Sequence, residues 1–302
     1  MHPATDPNLL CPRLVEGVTK YPAGAKEAAI ELWNSAVIRK AKALKAGSKL
    51  DVVVREGVGG RLGLWARPVG QGDFKMTMVS DPGKPQYRFI AFAGDVIDVE
   101  PVEFLEVEAT KDPSYVRMFT DANLPVPVGP LAPVLYLITP DGILCTVRGR
   151  GTNKYPGGIW GVGGDIDDLR ISVGEHLHKR EDREEIELPV GAVIENVNAI
   201  SLVCDNVLWK HDLVVVASTS ARFGDIRKGS TYLPDVESVT CIPVGERQLG
   251  RLIVDSYIHR TTAADDSFWI GRPTPACSGG LLSVGKHLYG PGWLSEAMSR
   301  LV

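Results

Sequence analysis

The sequence predicts a mixed α/β (α+β) protein, with a mixed sheet between helices preceded by a smaller, mostly antiparallel α+β domain. Three observations carry that reading. Apolar residues recur at helical spacing over 24–44. Short β-prone runs broken by Gly and Pro turns fill 51–109. Beyond a Pro-rich stretch come a hairpin, a glycine-dense loop, a charged helix and further apolar strands, in that order.

The first helix rests on Ile30, Trp33, Val37, Ala41 and Leu44, which fall on one face, with Gly47 as its stop. Lys26, Arg39, Lys40, Lys42 and Lys45 occupy the other face, a pattern expected of a solvated surface rather than a nucleic-acid contact. Strands are expected at Asp51–Arg55, Arg61–Ala66, Phe74–Val79, Tyr87–Ala93 and Val102–Ala109. The Gly59-Gly60, Gly70–Gly72 and Asp81-Pro82-Gly83 turns separate several of them. The stretch from Asp121 to Pro130 has linker composition and marks a domain boundary, dividing residues 1–126 from 127–250. Residues 251–302 read as a C-terminal extension packed on the second domain, closing with a helix over Trp293–Val302.

With 302 residues, 44% hydrophobic and 23% charged, the chain has the composition of a folded globular protein. A net charge of −4 argues against a partner held by phosphate neutralisation, so nucleic acid is not the expected ligand. No apolar run approaches a membrane span, and residues 1–14 lack a basic segment followed by an apolar core, so the cytoplasm is the expected compartment. Cys11, Cys145, Cys204, Cys241 and Cys277 are far apart and odd in number, as expected of reduced, mostly buried thiols.

In the second domain, Val134–Thr139 and Ile143–Arg148 form a hairpin about Pro140-Asp141-Gly142. A glycine-dense loop over 155–164 leads to a charged helix over Ser172–Leu188, followed by strands at Ala199–Cys204, Leu213–Ala217 and Ser238–Pro243. On that helix Glu181, Glu184 and Glu185 stand at i, i+3 and i+4, so their carboxylates project from one side and repel. A hard divalent cation turns repulsion into coordination. Mg²⁺, with Mn²⁺ as a substitute, takes carboxylates together with phosphate oxygens and water. Gly163-Gly164 suit a loop whose backbone approaches a phosphate closely. The residues therefore read as a metal-assisted phosphate site of hydrolytic type.

The hairpin, the Gly-Gly-Ile-Trp-Gly-Val-Gly-Gly loop and Arg180-Glu181-x-x-Glu184-Glu185 resemble the Nudix hydrolase family, whose signature is G-x5-E-x7-R-E-U-x-E-E-x-G-U, with U a bulky apolar residue. Leu188 fills the last apolar position. The resemblance implies that Glu181, Glu184 and Glu185 bind metal or activate water, and that Arg180 orients those carboxylates. It further implies that Arg148, Trp160, Gly163 and Gly164 line the substrate site. Asp182 and Glu187 depart from the signature, and Ser172 falls where its first glutamate belongs, leaving Asp167 or Asp168 as substitutes from a lengthened loop. A second register takes Glu175, Arg183, Glu184 and Glu187; Asp235 and Glu237 are further carboxylates ahead of a strand.

The resemblance implies Mg²⁺-dependent hydrolysis of a diphosphate linkage in a nucleoside-diphosphate-linked small molecule, with no membrane partner and room for a homodimer. The alternative is a catalytically inactive fold of the same type that senses or scaffolds a nucleotide. His176 and His178, at i and i+2, do not share a helix face and are expected to be solvated. His211 reads as structural, Cys277 has no adjacent base, and Asp265-Asp266 read as a turn.

Overall fold

The computed structural model describes residues 5–47, 50–69, 77–82, 85–126, 129–149, 155–166, 168–181, 185–205, 210–229, 236–258 and 266–299. It opens with β1 (Cys11–Leu14) and α1 (Ala25–Gly47), then β2 (Leu50–Glu56), β3 (Leu62–Pro68) and β4 (Thr77–Ser80). The three strands after α1 form one antiparallel sheet. The apolar stripe of α1 is buried as its spacing requires: Ala29, Trp33, Val37, Ala41 and Leu44 all face inward, while Lys26, Arg39, Lys42 and Lys45 are exposed.

Next come β5 (Pro85–Ala93), β6 (Val96–Glu103), α2 (Phe104–Ala109) and α3 (Pro113–Asp121). The strand expected over Val102–Ala109 is thus mostly helix. Glu103 caps the helix reciprocally with Glu106, two residues into what reads as a β-prone run. Leu64, Leu105, Tyr115 and Phe119 join the α1 stripe in one core. The second small sheet, β1–β6–β5, faces elsewhere: Leu10, Ile97 and Val99 share a core with Leu131, Leu135 and Leu137. Contacts therefore cross the Pro-rich stretch at 121–130. Behind them Arg88, Glu100 and Glu106 form a buried ion cluster, with Arg88 donating to the hydroxyls of Thr19 and Tyr21.

The main sheet is built from β7 (Leu131–Thr139), β8 (Gly142–Arg148), β9 (Ile159–Trp160) and β10 (Val162–Gly163). After α4 (Val173–Glu181) and the short β11 (Ile186–Glu187) it adds β12 (Ile194–Asp205) and β13 (Lys210–Thr219), then, past β14 (Arg227–Lys228), β15 (Val236–Ile242). Its order is β12-β13-β7-β8-β15, with β10 on β7 and β9 on β8. The β13–β7 pair is parallel and the rest are antiparallel, so the sheet is mixed. One face packs α4 through Val173 and Leu177. The other packs α5 (Glu246–Ile258), α6 (Pro275–Tyr289) and α7 (Trp293–Ser299) through Leu249, Leu281 and Trp293. Both faces are covered, which is why β7 and β13 are apolar runs rather than alternating ones.

The charged helix is shorter than expected. Ser172 and Glu175 start α4 (Val173–Glu181) as a reciprocal cap, but the helix does not run to Leu188: Glu185 lies in a bend and 186–187 in a strand. Carboxylates at 184, 185 and 187 would crowd the negative end of the helix dipole. Instead the chain turns into β11, where Ile186 is fully buried and Glu187 lies opposite Arg227. His176, expected to be solvated, is buried, with Nε2 2.7 Å from the Asp168 carbonyl oxygen. The thiols are all free, but only Cys145 and Cys277 are buried; Cys241 is half-buried, and Cys11 and Cys204 are exposed. No described helix is long and apolar enough to cross a membrane.

Leu135 is 0% exposed in the middle of β7, whereas Val190 is fully exposed. Leu135→Ala is expected to cost about 2–5 kcal/mol by chemical denaturation, because the tight core cannot collapse onto the void. Val190→Ala should fall within about 0.5 kcal/mol of the parent.

Candidate functional site

The site grows from the end of the β7–β8 hairpin. The backbone of Arg148 is bonded to the start of the glycine loop: Arg148 N donates to Gly158 O at 2.8 Å, and Gly157 N donates to Arg148 O at 3.0 Å. β9 then sets Trp160 opposite Thr146, and β10 sets Gly163 opposite Val134. Gly163 has φ +156°, and a Cβ there would lie 2.2 Å from Pro133 O and 3.0 Å from Val134 Cα. Both obstacles are backbone, so this position admits glycine alone. The tail clasps the loop from outside: Ile159 N donates to Arg272 O at 2.8 Å, and Thr274 N donates to Ile159 O at 3.0 Å.

The acidic run returns to this loop through Glu185, whose Oε2 accepts from Gly163 N at 2.9 Å. Glu185 sits in a bend rather than on α4, so it does not share a helix face with Glu181. Arg180 and Glu181 occupy the last turn of α4; Glu184, Asp167 and Asp235 lie outside the described residues. Glu175 is used in the α4 cap, and Asp168 holds Arg170 at 2.8 Å. Glu187 is exposed in β11, and Glu237 is exposed in β15 at the irregularity opposite Val147 and Arg148. Gly164 follows Gly163 half-buried, leading into Asp165. Among the described residues, no group of three or more His, Cys, Asp or Glu is placed to hold a metal ion.

Trp160 gathers the cations. The Arg148 guanidinium carbon lies 4.9 Å from its ring centroid, and the Lys210 ammonium 5.5 Å. Lys210 reaches Asp165 at 3.1 Å and Asp212 at 3.7 Å. Asp165 is fixed from its other oxygen by Gln86 Nε2 at 3.0 Å, a contact supplied by β5. Burial pulls Lys210 down, but Asp165 and Asp212 outweigh it and hold the ammonium above the usual lysine range. Burial pushes the Asp212 carboxyl up to about 6, against the pull of Lys210, with Asp205 and Asp165 adding to the rise. Gln86 Oε1 and Asp212 Oδ1 are buried and make no hydrogen bond among the described residues. A half-buried arginine and a lysine beside titratable carboxylates can receive an anion whose charge the local acids then tune.

The structure thus brings Arg148, Trp160, Gly163, Gly164 and Glu185 to one end of the sheet. Gln86, Asp165, Lys210 and Asp212 were not singled out from the sequence. Lys210 and Asp212 do carry a signal, since polar residues at alternate positions open an otherwise apolar strand. Gln86 carries none, because its partner is far away in the chain.

The Asp212 carboxyl rises in the fold from an ordinary 3.8 to about 6, so the folded state favours its neutral form. The stability this confers is complete below the ordinary value and is lost as pH rises through about 6. The thermal midpoint should therefore carry a downward component between pH 5 and pH 7 that Asp212→Asn removes. An unchanged pH slope in that variant would refute the assignment.

No family model matches the chain, and no curated protein matches it. Among solved structures, it is similar to a bifunctional NMN adenylyltransferase/ADP ribose pyrophosphatase from Francisella tularensis, complexed with AMP and a Mn ion. That likeness has 13% identity and a TM-score of 0.28, over 47% of this chain and 42% of the other. A second structure of the bifunctional enzyme gives 14% identity and a TM-score of 0.27, over 48% of this chain and 42% of that one. The chain thus spans less than half the length of these neighbours, and a likeness at that TM-score establishes neither family nor activity.

Proposed function

We propose that the chain binds a nucleoside-diphosphate-linked small molecule at the glycine loop and hydrolyses its diphosphate linkage in the manner of a Nudix hydrolase. The observation that carries the proposal is the Glu185–Gly163 hydrogen bond, which fastens the acidic run to the loop that Arg148 and Lys210 flank. Glu181, Glu184 and Glu185 offer oxygen ligands only, a donor set that suits Mg²⁺ or Mn²⁺. Such an ion, when bound, neutralises diphosphate charge.

The chain's own residues supply the rest. Arg148 holds the phosphate oxygens, and Arg180 orients the carboxylates. Glu184 takes a proton from the attacking water as its oxygen bonds to phosphorus. The bridging P–O bond breaks, and its electron pair leaves on the departing phosphate oxygen. Asp212, neutral below about pH 6, lessens the negative charge an anionic ligand meets.

A second reading, binding without turnover, is favoured by the bend at Glu185, which takes that carboxylate off the helix that carries Glu181. Incubating the full chain with nucleoside diphosphate sugars, dinucleotides and nucleoside triphosphates plus Mg²⁺ separates the two. Hydrolysis should fall by roughly 10²–10⁴-fold in Glu184→Gln, the range for loss of a general base. Saturable binding of one of these compounds with no turnover at any Mg²⁺ concentration would establish the second reading instead.

A further inference from the structure

A cavity of about 390 Å³ opens at the edge of the main sheet, away from the glycine loop. Its wall is β12, the edge strand, where the register shifts between Ala199 and Ser201. A regular strand would send alternate side chains to opposite faces; the irregularity breaks that alternation, and residues 199–202 all border the cavity. Leu10, Phe92 and Leu213 close it from the small sheet and from β13, and Ser283 closes it from α6. Thr5 seals one end by exchanging two backbone hydrogen bonds with Ala199, at 3.0 and 2.8 Å.

The chemistry of this lining is specific. Among the described residues no lining residue is ionisable, so these side chains offer a charged ligand nothing in return for its lost hydration. Ser283 Oγ is already committed to Gly279 O at 3.1 Å. Ser201 Oγ, by contrast, is buried and has no hydrogen-bond partner among the described residues. Buried hydroxyls are normally satisfied, and a hydroxyl can either donate or accept. The volume falls in the range of small-molecule sites, which are mainly apolar with a few orienting polar groups.

We propose that this cavity is a second ligand site, for a neutral, mainly apolar small molecule whose single N–H or O–H group meets Ser201 Oγ. It shares no lining residue with the glycine-loop site and does not depend on the diphosphate reading.

The test is a titration of the full chain with N-phenyl-1-naphthylamine, a neutral aryl amine whose emission rises on leaving water. A saturable, one-to-one rise is expected. Ser201→Ala, which removes the polar handle and little volume, should weaken it roughly three- to tenfold. Leu202→Trp, which fills the cavity, should abolish it in protein that still melts cooperatively. Asp212→Asn should leave it unchanged. A non-saturable signal overturns the proposal, as does unaltered affinity in Ser201→Ala or undiminished binding in folded Leu202→Trp.

Discussion

Strand β7 is buried along nearly its whole length and hydrogen-bonded to three neighbours, β8, β10 and β13. Its parallel bond to β13 demands a crossover, and the glycine loop, α4 and β12 are the chain's way of making it. Several parts of the candidate site lie against this strand or its partner β13. Gly163 lies against Pro133 and Val134, Ile166 N bonds to Leu131 O, and Lys210 and Asp212 flank His211, the residue opposite Leu131. Because β7 is paired on both edges and buried on both faces, the loop beside it has little room to shift.

The sequence showed the outline of this arrangement and missed its joints. The α1 stripe, the hairpin and the apolar strands were legible because their apolar periods are set by the face they bury. α2 was misread because Leu105 and Val107 look β-prone and the Glu103–Glu106 cap overrules them. The length of α4 was misread because Glu181, Glu184 and Glu185 are spaced for a helix, while the burial of Ile186 and the basic partner strand β14 are not visible locally. The proximity of Arg148, Trp160 and Gly163 was legible in their order along the chain, as a hairpin feeding a glycine loop. Gln86, Asp165, Lys210 and Asp212 were missed, since what joins them is tertiary proximity and not spacing.

The charge cluster also gives the amino-terminal region a place in the site. Gln86 is almost wholly buried and holds Asp165 from the opposite side to Lys210, so the ammonium's position depends on a residue of β5. A buried ion pair contributes little to stability by itself, because desolvation offsets much of its attraction. Its value here is orientation: Lys210 and Arg148 are kept at the indole of Trp160 rather than released to solvent.

The clasp on Ile159 by Arg272 and Thr274, reinforced by the edge contact of Tyr155 with Trp269, bears on how the protein is made. A ribosome delivers the hairpin and the glycine loop long before the residues that hold them in place. The nascent loop must therefore wait, with the Ile159 backbone unpaired on that side, until the stretch around Trp269–Thr274 has emerged. Assembly of the loop is thus set by its partner segment and not by its own neighbours in the chain.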